Sequence, residues 1–416
     1  MTSITLNDQH DSLCMEEVSL MEVAKEYGTP CYVYSKKMLV DNWQRFNDAF
    51  KTHPHRICYA VKANSNLAIL NLFANLNSGF DIVSAGELER VLAAGGDPRN
   101  IVFSGVGKKP YEIIRALEVG IHCFNVESDA ELDRLNDIAM QLNTIAPIAL
   151  RINPDIDART HPYIATGLNE NKFGIAYTDT LSIVEKIQSL SHLKLIGIGN
   201  HIGSQLTELS PFSEAVDRLL ELANQLLANG FELDHINIGG GLGVNYRNET
   251  PPSIQEYAAT VIPKFKNSPL EIILEPGRAI VANAGVLLTT VEYLKQTHHK
   301  NFAIVDAAMN DLLRPALYKA WHEILPVISR KNQPDILYDI VGPVCESADF
   351  LGKERLLSIE PGDLLAIQSA GAYSFSMSSN YNSRPRVAEV MIDQNRIHLI
   401  RERESIQDLF VKEKII

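Results

Sequence analysis

From about Pro30 to Ile280, short apolar runs alternate with segments whose apolar residues recur at helical spacing. The runs are RICYAVKA from Arg56, GFDIVS from Gly79, IVFSG from Ile101, HCFNVE from His122, IALRINP from Ile148, LIGIGNHIG from Leu195, HINIGGG from His235 and EIILEPGR from Glu271. Each reads as a strand, and the gaps between them read as helices. In AGELERVLAAGG, Leu88, Val91 and Leu92 share one face while Glu87, Glu89 and Arg90 take the other. SDAELDRLNDIAMQL repeats the pattern, and SKKMLVDNWQRFNDAF places one more helix ahead of the first strand. Eight strands with a helix in every gap predict a (β/α)8 TIM barrel over residues 36–280, with a doubly wound open sheet as the competing architecture.

After Ile280 the texture changes. AGVLLTTVEYL, NFAIVDAA, ILYDIVGPV, DLLAIQSAGAY and RVAEVMIDQNRIHLI are short, β-rich and bounded by Gly, Pro, Asn or Asp. They predict a C-terminal, mostly antiparallel β-sandwich or β-barrel domain over residues 281–416. PCYVYS is strand-like but falls outside the barrel count, so residues 1–35 are expected to pair with that β domain.

Composition narrows the class. Of 416 residues, 45% are hydrophobic and 21% charged, as in ordinary globular proteins. The net charge of −13 argues against nucleic acid as a partner. No apolar run approaches bilayer length, and MTSITLNDQHDSLCMEE lacks the basic start and apolar stretch of a signal peptide. The five cysteines (Cys14, Cys31, Cys58, Cys123 and Cys345) are odd in number and scattered, without a CxxC pair. No disulfide framework or metal site is expected, and the expected compartment is the cytoplasm.

Barrel enzymes react where the βα loops converge, at the carboxyl ends of the strands. The chemically unusual residues fall there. Lys62 closes the first run, Asp81 lies in the second, Arg151 and Asn153 close the fifth, and His201 and Ser204 follow the sixth. Gly239, Gly240 and Gly241 follow the seventh, while Glu275, Gly277 and Arg278 close the eighth. Each has a plain reading as well. A strand-end lysine is usually a solvated rim residue, a glycine run a tight turn, a lone histidine a packed one. The functional readings are an amine that attacks a carbonyl, a bare backbone that cradles phosphate, and a carboxylate that keeps a pyridine nitrogen protonated.

Further motifs lie along the chain. YAVKAN spans Tyr59–Asn64, GFDIVSAGEL Gly79–Leu88, HPYIATGLNENKFGI His161–Ile175 and HIGSQ His201–Gln205. GGGLGVNY spans Gly239–Tyr246, EPGR Glu275–Arg278, GPVCES Gly342–Ser347 and GAYSFSMSSNYN Gly371–Asn382. In order, and from about Thr29 to about Val390, they resemble the fold-type III pyridoxal-phosphate enzymes, the alanine racemase and ornithine decarboxylase superfamily. Within it, the resemblance is to the branch that decarboxylates meso-diaminopimelate to L-lysine.

The resemblance implies pyridoxal 5'-phosphate bound covalently to Lys62, His201 at the ring face and Glu275 at the pyridine nitrogen. Ser204, the Gly239–Gly241 turn and the Gly277–Arg278 backbone would surround the phosphate; Asp81, Arg151 and Tyr373 would also contact the cofactor. Arg278, Arg314 and Tyr318 would hold the distal carboxylate of the substrate, Glu346 its distal ammonium, and Cys345 would donate a proton. Cys345, Glu346 and Tyr373 are expected to complete the site of the opposite subunit in a homodimer. Decarboxylases of ornithine, arginine or carboxynorspermidine share most of these residues, although ornithine has no distal carboxylate for the arginines. Racemases of the superfamily place arginine where this chain has Glu275, and a purely cofactor-binding protein would not need Cys345–Glu346.

Overall fold

The computed structural model describes residues 4–7, 12–154, 156, 172–330 and 333–416. The part of the HPYIATGLNENKFGI motif from His161 to Asn171 lies outside the described residues. The chain divides into two compact units. One comprises Trp43–Val244 and Thr250–Ala279; the other comprises Met1–Asn42, Asn245–Glu249 and Ile280–Ile416. The short segment Asn245–Glu249 thus leaves one unit for the other, which no feature of its composition announces.

The first unit is a closed parallel barrel. Its strands are His55–Ala60, Gly79–Ile82, Ile101–Phe103, Cys123–Val126, Ala146–Asn153, Leu193–Gly199, His235–Asn237 and Glu271–Leu274. Each pairs in parallel with the next, and the eighth closes on the first through Ile272–His55, Ile273–Arg56 and Leu274–Ile57. All eight apolar runs therefore contribute a barrel strand. A short extra strand, Ile175–Ala176, adds to the fifth. Inside, Cys58, Val102, Cys123, Ala149, Ile196 and Ile273 form an apolar layer, the filled interior expected of a barrel this size.

The helices follow the amphipathic pattern. Ser84 caps Ala85–Ala93 by accepting the Glu87 amide at 3.2 Å. Leu88 and Val91 of that helix are fully buried, whereas Glu89 is exposed. No described helix is long and apolar enough to cross a membrane.

The second unit is built around a long strand, Gly285–Gln296. Its first half pairs antiparallel with Cys31–Ser35 and with Leu364–Ile367; its second half pairs with Asn301–Val305. Cys31–Ser35 continues the sheet in parallel to Ala388–Asp393, which pairs antiparallel with Arg396–Arg401. Two parallel pairings, the second being Asn301–Val305 with Ile336–Val341, interrupt an otherwise antiparallel arrangement. Val33, Val286, Leu288, Ala366 and Val390 form its core with Met15, Val18, Leu20 and Val23 from the amino-terminal segment. That segment, which carries no motif, is a small sheet plus the helix Leu20–Tyr27.

Candidate active site

The first run ends earlier than its apolar pattern suggested. The strand stops at Ala60, whose amide donates to the Pro276 carbonyl at 3.1 Å, and Lys62 sits in the following 3-10 turn, Val61–Ala63. The turn aims Lys62 Nζ at Asp81 of the second strand, and the two form an ion pair. Asp81 is fully buried, and its second carboxylate oxygen, Oδ1, has no hydrogen-bond partner.

These two residues open a cavity of about 200 Å3 whose wall also includes Ser104, Asn125, Arg151, Phe173, His201, Asn237 and Glu275. Glu275 follows the eighth strand and is buried. Its Oε1 accepts from Asn237 Nδ2 at 2.6 Å and Asn125 Nδ2 at 3.2 Å. Burial, reinforced by the nearby Asp81 charge, pushes its carboxyl up to about 7; Lys62, the Asn237 hydrogen bond and Arg151 pull the other way.

Because this folded-state pKa lies above the ordinary carboxyl value, the protonated form favours folding. That contribution is present below the ordinary value and is lost as pH rises through about 7. In the cofactor-free protein, Glu275→Gln should therefore match wild type near pH 4.5 and exceed it in stability near pH 8. Urea midpoints at both pH values measure this, and a difference independent of pH would refute it.

Arg151 and His201 complete the polar wall. Arg151 Nη1 reaches both oxygens of Glu127, at 3.0 and 3.1 Å, and its guanidinium lies 4.8 Å from the Phe173 ring centre. Glu127 also accepts the Gly105 amide at 2.8 Å, so one carboxylate fixes the arginine and the loop after the third strand. Burial and the charges of Arg151 and Lys62 hold His201 well below the usual histidine range, leaving it neutral. Its Nδ1 accepts the Gly240 amide at 3.3 Å, which leaves the ring proton on Nε2.

The glycines after the seventh strand are there for close approach. A Cβ at Gly239 would lie 2.4 Å from Asn200 O, at Gly240 2.2 Å from Glu275 O, and at Gly241 2.4 Å from Gly203 O. Gly239 and Gly241 also have φ of +68° and +110°, which L side chains resist. The bare turn lies against the loop after the sixth strand, tied by Leu206 N to Gly241 O at 2.9 Å. In that loop Ser204 Oγ accepts from Arg278 Nη2 at 3.1 Å; Gly277, next to Arg278, is buried.

Sequence residues that the structure brings together here are Lys62, Asp81, Arg151, His201 and Glu275, with Ser204 and Arg278 paired nearby. Asn125, Glu127 and Asn237 were missed. Their only signal is a polar side chain near the carboxyl end of an apolar strand, in FNVE and HIN.

The remaining candidates belong to the second unit. Arg314 opens the short helix Arg314–Tyr318 and is buried; its Nη1 donates to His322 Nε2 at 2.8 Å, while His322 Nδ1 donates to Gln368 O. The Arg314 guanidinium lies 4.5 Å from the Tyr246 ring centre. Cys345 and Glu346 are exposed. The Cys345 amide donates to Asn382 Oδ1 at 3.0 Å, and Tyr381 donates its hydroxyl to Glu346 Oε1 at 2.6 Å. Tyr373 has φ of +54°, a strained backbone for a bulky residue.

The pattern of the family described as "Pyridoxal-dependent decarboxylase, pyridoxal binding domain" matches residues 36–282, more than half the chain. The chain belongs to this family. The chain is similar, at 57% identity over 99% of both chains, to the diaminopimelate decarboxylase of Vibrio cholerae. The enzyme of that name from Pseudomonas aeruginosa is 54% identical, again over 99% of both chains. Among solved structures, diaminopimelate decarboxylase from Helicobacter pylori, complexed with L-lysine, is 45% identical with a TM-score of 0.91, covering 94% of this chain and 98% of that one. Together they account for the barrel as the pyridoxal-binding part.

Proposed function

We propose that the chain decarboxylates meso-2,6-diaminopimelate to L-lysine and carbon dioxide, the last step of lysine biosynthesis, with pyridoxal 5'-phosphate bound to Lys62. The observation that carries the reading is 57% identity, over nearly the full length of both chains, to a relative named for this reaction.

The residues present suit the cofactor. A phosphate needs donors it can approach closely, and the Ser204 hydroxyl and Arg278 guanidinium, next to Gly277, lie beside the side-chain-free turn Gly239–Gly241. A pyridine nitrogen needs a fixed carboxylate, and Glu275 is held by two asparagines. The unpartnered Oδ1 of buried Asp81 is a further acceptor on the same cavity. Lys62 supplies the amine for covalent attachment, His201 the ring face, and Arg151 a cation in the wall.

Bound there, the cofactor supplies the electron sink for the pair left when the C–C bond breaks. Glu275 would keep a proton on the ring nitrogen, and neutral His201 would add no positive charge beside it. Arg278, Arg314 and Tyr318 hold the distal carboxylate, and Glu346 the distal ammonium, so that the carboxylate to be lost is oriented by the far end of the molecule. Tyr373 would contact the cofactor, and Cys345 Sγ would give a proton to the carbon that lost its carboxylate. Each site takes Cys345, Glu346 and Tyr373 from the opposite subunit of a homodimer, in keeping with a pair, Cys345–Glu346, that is exposed on its own unit. The five unpaired cysteines support a cytoplasmic location.

Purified holoenzyme given meso-diaminopimelate, ornithine, arginine and carboxynorspermidine separates the readings. Lysine from the first should form at least about 100-fold faster than any product of the others, because a substrate without the distal carboxylate forgoes its charge-assisted hydrogen bonds to the arginines. Comparable turnover of ornithine would replace the reading with a broader basic amino-acid decarboxylase.

A further inference from the structure

At the end of the barrel opposite Lys62, three metal-ligating side chains converge without a role in the chemistry above. His122 precedes the fourth strand, Cys123 opens it, and His235 opens the seventh. One donor atom from each lies within 4.8 Å of the others. His235 is fully buried, yet neither of its ring nitrogens has a hydrogen-bond partner; His122 Nε2 has none either. A buried polar group left this way is destabilising, so a fully buried imidazole with neither nitrogen hydrogen-bonded needs a reason. The two rings lie 5.3 Å apart at 45°, neither stacked nor edge-on.

The neighbourhood makes room for the ring on purpose. Gly197 of the sixth strand faces His235, and a Cβ there would fall 2.3 Å from Nε2. The pairing of the fifth and sixth strands slips at this point, between Leu195 and Gly197. Cys123 lies in the apolar layer of the barrel with Val102, Ala149, Ile196 and Ile273.

We propose that His122, Cys123 and His235 form a binding site for a soft monovalent d10 metal ion, Cu+ being the natural example. Two neutral nitrogens and one sulfur suit such an ion, which accepts three ligands. Charge decides against a divalent ion. Binding breaks the Cys123 S–H bond, forms an S–metal bond and releases the proton to solvent, with no change of oxidation state. A monovalent ion on a thiolate is then neutral overall and can be buried in an apolar layer; a divalent one would leave a net positive charge there. The metal joins the loop before the fourth strand to the start of the seventh, the end of the barrel that governs stability rather than reaction.

The test uses holoenzyme in a Cys345→Ser background, which removes the exposed thiol, titrated anaerobically with Cu+ against a chromogenic Cu+ chelator. One equivalent should bind per chain. Affinity should fall by more than the about 10–100-fold that loss of an outer-shell partner costs in Cys123→Ser, and likewise in His235→Phe. His122→Asn, at a partly exposed position outside the strand, provides a variant that does not disturb the barrel interior and should show the same loss. Zn2+ should compete weakly. No tight equivalent in the background protein, or undiminished binding in His122→Asn and in whichever interior variant folds, would overturn the site; so would Zn2+ displacing Cu+ at equal concentration.

Discussion

Lys62→Ala should lower the rate of lysine formation by about three orders of magnitude or more, because the variant loses the proposed covalent anchor and the amine that would release product. Borohydride trapping and peptide mass mapping of wild type should find the pyridoxyl group on the peptide containing Lys62. The same substitution leaves Asp81, fully buried, without its cation. Since Lys62 is itself 37% exposed, the stability cost is modest, about 1 kcal/mol. Lys62→Ala with near wild-type turnover, or an adduct solely on another lysine, would remove Lys62 from the mechanism.

The second large effect is a gain. Lys62→Ala and Cys345→Ala should each be nearly inactive alone, yet a mixture allowed to exchange subunits should recover about one quarter of wild-type activity at equal proportions. Half of the dimers are then mixed, and one of the two sites in each holds both intact residues. The expectation rests on Cys345 and Glu346 standing exposed on the second unit. Cys345→Ala should keep the cofactor's absorbance, since its proposed role is proton delivery rather than attachment. If mixed dimers form and no activity returns, each chain completes its own site. If Cys345→Ala is fully active, another group delivers the proton.

Much of the cavity wall was legible in the chain because strand ends are legible. Runs such as GFDIVS and EIILEPGR have the length and apolarity of buried strands, and a polar residue where a run stops is placed by the fold at the barrel mouth. Lys62, His201 and Glu275 follow that logic, Asp81 and Arg151 lie just inside the ends of their strands, and all five line one cavity. The family motifs then gave each a chemical meaning. Where local pattern misled, a long-range contact was responsible: the first strand ends at Ala60 rather than Lys62, in a turn whose lysine pairs with Asp81, 19 residues on.

The sequence by itself determined the eight strands, the helices between them, the change of texture near Ile280 and the residues that face the barrel mouth, because periodicity and strand length are properties of neighbouring residues. Tertiary structure decided what depends on distant pairs. Asn125 meets Glu275 across 150 residues, and Cys31–Ser35 lies between Gly285–Gln296 and Ala388–Asp393. Gly240 must be glycine because Glu275 O stands 2.2 Å from where its Cβ would be. His122, Cys123 and His235 become a group only when the fourth and seventh strands enter the same ring. None of these has a local signature, since each is set by closing the barrel and the sheet, where burial forces polar groups to find partners far along the chain.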